Sequence, residues 1–390
     1  MAALKVLHLA SFSGNIGDNA NHNGFRRLLC ETLDTGLACT DLEIREFYWK
    51  ERRFDADFVA LCNAHDLVVI GGGNYFELWV PDSATGTSID IAPDILAAIQ
   101  TPVVFNALGV DVGQGLPKGN AAKFRGFLDT LLGSDQFVVS VRNDGARDSL
   151  REHIGASYAE AVHLVADGGF FVTTRPAFQG LVPGGAVTIG INLAGDLPDL
   201  RFGGDRHAFA QQLADGLTAL MGGREEIHLL LFAHIFRDFD PLHALLDALP
   251  DPLRRRRVAV APYVMGQGAE CGFFDLYRRC AAVLGMRFHA NVCPIGLGVP
   301  TVGLSTYPQI DRLYRELGLD ERVVDVTTPD FATELVAKTR SSLADSERIG
   351  ARYQQISRDL EAGTREFHAH IGAWLGLDLR ARPTSMEAAG

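Results

Sequence analysis

Residues 5–29 read KVLHLASFSGNIGDNANHNGFRRLL, and the way this stretch folds decides the architecture of the chain. KVLHLA is a short run of strand-forming residues, after which Phe25, Leu28, Leu29 and Leu33 recur at helical spacing. Strand, glycine-bearing turn and helix make half of a βαβ unit, and the pattern continues. DLVVI, PVVFNALG, FVVSVR and HLVAD follow in the first half of the chain. AVTIGINL, IHLLLFA, VAVAP, VLGMRFH, PTVGLS and VVDV follow in the second. Short apolar runs alternating with amphipathic segments predict an α/β protein with parallel sheets. The Pro- and Gly-rich stretch TTRPAFQGLVPGG separates the two sets. The expected organisation is a Rossmann-like domain over 1–175, a linker over 176–186 and a second Rossmann-like domain over 187–340. An amphipathic helix over 341–378 and a tail over 379–390 complete it. On that helix Ile349, Tyr353, Ile356, Leu360, Phe367 and Ile371 form one apolar stripe, interrupted at Gly363. Two Rossmann-like domains with parallel sheets facing a cleft is the predicted architecture.

The chain of 390 residues is long enough for two cores, and 47% hydrophobic with 22% charged residues is an ordinary globular balance. A net charge of −12 argues against a nucleic-acid partner. The run Arg254–Arg257, between DALPDPL and VAVAP, reads as a solvated helix end feeding a strand. No apolar stretch approaches the roughly 18 residues a bilayer span needs, so any membrane association would be peripheral. MAALKVLHLA reads as a first strand rather than a signal peptide. The six cysteines include no CxxC pair. A reduced, cytoplasmic chain without metal or cofactor is the expectation.

Several loops carry candidate chemistry. Gly14, Asn15 and Gly17 lie between a strand and a helix, where free N–H groups attract anions. This is not the dinucleotide fingerprint. Asp18 either caps the helix or acts on a ligand. In GGGNYFE the three glycines, Gly72 and Gly73 among them, permit close approach of a ligand or simply make a tight turn, Asn74 beside them is a candidate substrate contact, and Glu77 is the nearest carboxylate able to act on a hydroxyl. Arg142 closes a strand as an anion clamp or as partner to a neighbouring carboxylate, with Asn143 and Asp144 suited to capping the next helix. FAHIFRDFD contains His234, Asp238 and Asp240. Its DxD spacing is that of metal-binding glycosyltransferases, but a loop of solvated carboxylates is the better reading. His368 and His370, two apart on a helix, point to different sides and make no metal pair. Finally, Arg287 and His289 precede fifteen uncharged residues. On a strand, residues two apart share a face, so both side chains can converge on one point. The segment beyond is a reluctant helix because of Pro294, Gly296 and Gly298. Two such donors form a receptor for a carboxylate or phosphate, against the alternative of a surface arginine and a structural histidine.

Taken in order, GNIGDNA, GGGNYFE, NALGVDVG, SVRNDGARDSL, VADGGFFV, IGINLAG, FAHIFRDFD and GMRFHANVCPIGLGVPTVGLSTYPQ resemble the polysaccharide pyruvyltransferase family, over about residues 10–320. The resemblance implies a fold similar to the GT-B glycosyltransferases. It also implies transfer of pyruvate from phosphoenolpyruvate, a donor substrate rather than a cofactor, to two hydroxyls of a sugar, with a ketal and phosphate as products. The acceptor would be a sugar or a lipid-linked oligosaccharide. By motif position the resemblance carries phosphoenolpyruvate binding onto Arg287 and His289, and onto Arg142 from the other part of the chain. His289 is then the expected acid or base. Asp18, Glu77 or Asp111 would take the hydroxyl proton, and amides near Gly14 and Gly73 would position phosphate or sugar. Two positions depart from the family pattern: Gln309 stands where many relatives have lysine, and Asn19 where an acidic residue is frequent. The competing readings are a GT-B glycosyltransferase using a nucleotide sugar and a non-catalytic glycan-binding relative. Absence of Asp or Glu from residues 289–303 counts against the first.

Overall fold

A computed structural model describes residues 3–377. The first lobe holds β1 (Leu4–Ala10), β2 (Leu37–Glu43), β3 (Leu67–Gly71), β5 (Val103–Leu108), β7 (Phe137–Arg142) and β8 (His163–Val165) in an all-parallel sheet of order β2-β1-β3-β5-β7-β8. Two short strands, β4 (Phe76–Glu77) and β6 (Val110–Asp111), pair beside it. The second lobe is a parallel sheet of order β11-β10-β9-β12-β13-β14. Its strands are β9 (Val187–Asn192), β10 (Ile227–Phe232), β11 (Val258–Val260), β12 (Ala282–Gly285), β13 (Thr301–Ser305) and β14 (Val323–Asp325). The helices that matter below are α1 (Ile16–Leu33), α2 (Ala146–His153), α3 (His289–Gly296), α4 (Pro308–Glu316), α5 (Phe331–Ala344) and α6 (Ser346–Trp374).

Strands such as LVVIG and VVFNAL are buried at every residue because helices cover both faces of the sheet, which is why they read as unbroken apolar runs. LACTDLE of β2 mixes apolar and polar residues, buries only Leu42 and pairs only with β1 at the sheet edge, so its sequence carries no such signal. The run VLGMRFH is not one strand. β12 stops at Gly285, where an added Cβ would lie 2.7 Å from the Ala290 carbonyl oxygen, so the chain turns sharply there. Arg287 therefore sits in the turn and His289 opens α3. The two do not share a strand face as the alternation argument expected.

In each sheet the strand order reverses, between β1 and β3 and between β9 and β12, so connections leave in opposite directions and open a crevice at the carboxyl ends. Apolar contacts join the lobes beneath it: Ile16 and Ala20 of α1 pack with Phe232 and Phe273, and Leu28 packs in one cluster with Phe288 and Tyr353. α6 crosses between the lobes. Its Ile349 and Tyr353 pack with second-lobe residues, while Phe367 and Ile371 enter the first-lobe core beside Val6, Phe25 and Leu29. Gly363 is exposed and the helix runs through it unbroken, so the expected interruption is absent. The tail expected over 379–390 lies outside the described residues.

Candidate active site

The loops after β1 and β3 face those after β9, β10 and β12 across a cleft with about 1180 Å³ of empty space open to solvent. Asn15, Asp18, Gly73, Asn74, Glu77 and Arg142 line it from the first lobe, and His234, Arg287 and His289 from the second. Gly14, Gly17 and Gly72 stand behind this surface. Gly14 and Gly72 hold left-handed backbone at φ +78 and +84, which favours glycine. Gly17 has ordinary backbone, but a Cβ there would come within 2.6 Å of the His289 ring. The start of α1 thus presses against His289.

Arg287 is held by two carboxylates. Its Nε donates to Asp238 Oδ2 at 2.7 Å, and its Nη2 donates to Asp238 Oδ1 at 2.5 Å and Asp196 Oδ1 at 2.8 Å. Nη1 makes no hydrogen bond among the described residues. Asp238 is fully buried and also accepts the backbone N–H groups of Gly195, His234 and Ile235. The expectation of solvated carboxylates in that loop is therefore wrong for Asp238 and right for Asp240, which is exposed near Arg206. His234 is buried, with Nε2 2.8 Å from the Tyr277 hydroxyl. Burial, then the charges of Arg287 and His289, hold its pKa well below the usual value, so the ring is neutral.

Arg142, 3% exposed, is the opposite of a free clamp. Nε and Nη2 donate to Asp144 Oδ2 at 2.9 and 2.7 Å, Nη1 donates to Asp167 Oδ2 at 3.3 Å, and the Phe288 ring covers its Cζ at 4.1 Å. All three nitrogens are engaged, the second of the two roles the sequence left open. Neither Asn143 nor Asp144 caps α2: Gly145, at φ 84, occupies that position, and Asn143 Oδ1 accepts the Asp167 backbone N–H at 3.1 Å.

Asp167 was not singled out in the sequence. It is fully buried and lies between Arg142 and His289, with Oδ1 3.3 Å from His289 Nε2. The same carboxylate accepts from Gly169 N at 2.8 Å and Asn21 Nδ2 at 3.1 Å. Burial alone would raise its pKa, but His289 and Arg142 outweigh that and hold it below the usual carboxylate range. On the other side of the imidazole, Nδ1 is 3.8 Å from Asp18 Oδ1. Asp18 does not cap α1: Asn15 does, its Oδ1 accepting from Gly17 N at 3.0 Å while its Nδ2 donates to Asp18. The imidazole thus has Nε2 at ion-pair distance from a buried carboxylate, without a hydrogen bond to it among the described residues, and Nδ1 facing Asp18 at the cleft.

Glu77 accepts from the Ser88 hydroxyl and lies near Asp111. Burial, offset in part by the Ser88 bond and reinforced by Asp111, pushes its pKa up to about 7. Asp111 is pinned by Asn74 Nδ2 at 3.0 Å and Gly113 N at 2.7 Å. Gln309 donates to Asp144 Oδ2 at 2.8 Å and so ties the lobes together across the cleft edge, whereas Asn19 is buried in α1 away from the cleft lining. Among the described residues no group of three or more His, Cys, Asp or Glu could hold a metal ion.

The family model described as polysaccharide pyruvyl transferase matches residues 272–307, the segment that carries Arg287 and His289. No curated protein matches the sequence. Solved structures match over nearly the whole chain. The UDP co-structure of MnaA from S. aureus is 9% identical, with 98% of this chain and 99% of that one covered at TM-score 0.53. Trehalose 6-phosphate synthase from Burkholderia multivorans is 12% identical, covering 96% and 98%, also at TM-score 0.53. UDP-GlcNAc 2-epimerase from Neisseria meningitidis, bound to UDP-GlcNAc, is 11% identical, covering 96% and 100% at TM-score 0.53. The chain has the two-lobed GT-B fold. No helix among the described residues is long and apolar enough to cross a membrane.

Proposed function

We propose that this protein transfers pyruvate from phosphoenolpyruvate to two hydroxyls of a sugar in a polysaccharide or its lipid-linked precursor, forming a cyclic ketal and releasing phosphate. The observation that carries this reading is a coincidence of place. The pyruvyl transferase match falls on the one segment that sets a carboxylate-held arginine and a carboxylate-oriented histidine at the cleft.

Phosphoenolpyruvate brings a carboxylate and a phosphate. The unused Nη1 donors of Arg287 suit one of them. Arg237, on the same cleft and without a carboxylate at ion-pair distance among the described residues, suits the other. Arg142 acts one step back by holding Asp167. With Asp167 against Nε2, the imidazole of His289 delivers a proton from Nδ1 to the methylene carbon, which becomes the methyl group. Positive charge develops at the carbon that bears phosphate, and the first sugar hydroxyl adds there as Glu77 takes its proton. The carbon–oxygen bond to phosphate then breaks, phosphate leaves with the bonding pair, and the second hydroxyl adds as its proton passes to the departing phosphate. One carbon–hydrogen and two carbon–oxygen bonds form; the carbon–carbon π bond, one carbon–oxygen bond and the two hydroxyl O–H bonds break, and the proton held by Glu77 returns through solvent to reload His289.

Calorimetric titration with phosphoenolpyruvate tests the reading directly. Saturable binding to the wild type, lost in Arg287→Ala, and phosphate release dependent on a glycan acceptor are the expected results. Heat from UDP-N-acetylglucosamine with none from phosphoenolpyruvate would replace this reading with a nucleotide-sugar enzyme.

A further inference from the structure

A second, smaller hollow, with about 360 Å³ of empty space that includes open solvent at its mouth, lies beside the main cleft. It shares Asn74, Asp111, Tyr307 and Gln309 with the cleft and continues between the start of α4 and α2. Its walls are chemically unlike one another. Val110, Val112 and Pro308 are apolar. Asp144, 5% exposed, takes three hydrogen bonds on Oδ2 from Arg142 and Gln309, whereas its Oδ1, equally shielded from water, has no partner among the described residues. Arg312 brings cationic donors, held by the Ser149 hydroxyl at 2.5 Å and Glu152 at 3.2 Å. A buried carboxylate oxygen without a donor is costly to the fold, and a ligand N–H placed against it removes that cost.

We propose that this hollow receives an N-acyl substituent, an acetamido group, on the sugar that reacts in the cleft. The amide N–H donates to Asp144 Oδ1, the carbonyl oxygen accepts from Arg312, and the methyl group lies on Val110, Val112 and Pro308. Other substituents match less of the wall. A hydroxyl satisfies Asp144 but leaves the apolar side wet, and a carboxylate sets negative charge against Asp144 and Asp111. Calling the sugar an acceptor rests on the pyruvyl-transfer reading, but occupancy of the hollow does not, so the two are tested apart.

The experiment titrates the intact wild-type protein with the methyl glycosides of N-acetylglucosamine, N-acetylmannosamine and N-acetylgalactosamine, each beside its glucose, mannose or galactose parent, with no donor present. One added hydrogen bond and a buried methyl predict that at least one N-acetyl sugar binds about tenfold or more tightly than its parent. Val112→Trp, which fills the hollow, is expected to bring the pair back to parity while phosphoenolpyruvate binds as in the wild type. Parity in all three wild-type pairs overturns the proposal, as does no detectable binding of any of the six sugars. The wild-type comparison stands without the variant. A retained N-acetyl preference in a protein that does not bind phosphoenolpyruvate would sink the pyruvyl-transfer reading and leave the pocket.

Discussion

His289 is wedged between Asp167 and Asp18, and the start of α1 leaves room for it only because residue 17 is glycine. Its chemistry and its packing are therefore entangled in an alanine and are separated better by a side chain of similar size. His289→Gln is expected to lower the rate of ketal formation by about 10²–10⁴ with an unfolding midpoint close to wild type, by the usual worth of a general acid. Phosphate release and thermal unfolding measured on the same preparation check both halves. Glu77 makes a prediction in pH. As a base it must be ionised, and its pKa of about 7 gives kcat/KM an ascending limb that rises with pH through about 7. Glu77→Gln should lose most of the rate and all of that limb; a limb that persists in the variant assigns it to another group. The sign for stability is the reverse. A carboxyl whose pKa is raised from 4.5 in the unfolded chain favours the fold in its protonated form, so its contribution is fully present below about 4.5 and is lost as pH rises through about 7.

Elements were legible in proportion to how far local sequence decides them. The central second-lobe strands β9, β10, β12 and β13 are runs almost wholly buried, and each is visible as such; β2, with one buried residue and on an edge, is not. The end of β12 was misjudged because MRF continues its hydrophobicity while the break is made by the crossing of the Ala290 carbonyl over Gly285, a contact no periodicity encodes. Buried carboxylates were the least legible. Asp238 pairs with Arg287 and Asp167 with Arg142, and nothing local says that a guanidinium from a distant strand end or turn will be there to compensate a buried charge. The stripe on α6 was legible, but its division between two cores was not. That division makes α6 a strap. Phe367→Ala removes a ring from the first-lobe core at the far end of the helix and is expected to cost about 3–5 kcal/mol. Urea unfolding followed by circular dichroism measures it, and a loss under about 1 kcal/mol would mean that the helix does not hold the lobe.

At the scale of the whole molecule, a chain of net charge −12 keeps three neutral imidazoles in its first lobe. His8 and His22 lie in edge contact beneath the first loop, and His368 brings α6 against Phe25 of α1. Burial is the leading cause that lowers all three, to about 4 for His22 and His368, against 6.5 in an unfolded chain. The unfolded state therefore binds protons that the folded state refuses. Stability from these residues is fully present above about 6.5 and is lost as pH falls through about 4. Glu77 and Glu316, both pushed up to about 7 chiefly by burial, trend the opposite way over two protons against three. His368→Leu separates this from general acid unfolding, since it removes one of these protons while keeping an apolar side chain against Phe25. Unfolding free energies measured from pH 7 to pH 4.5 should fall less steeply in the variant than in the wild type, by up to one proton per molecule. Equal slopes would mean that His368 charges in the folded protein, and that the strap does not depend on its neutrality.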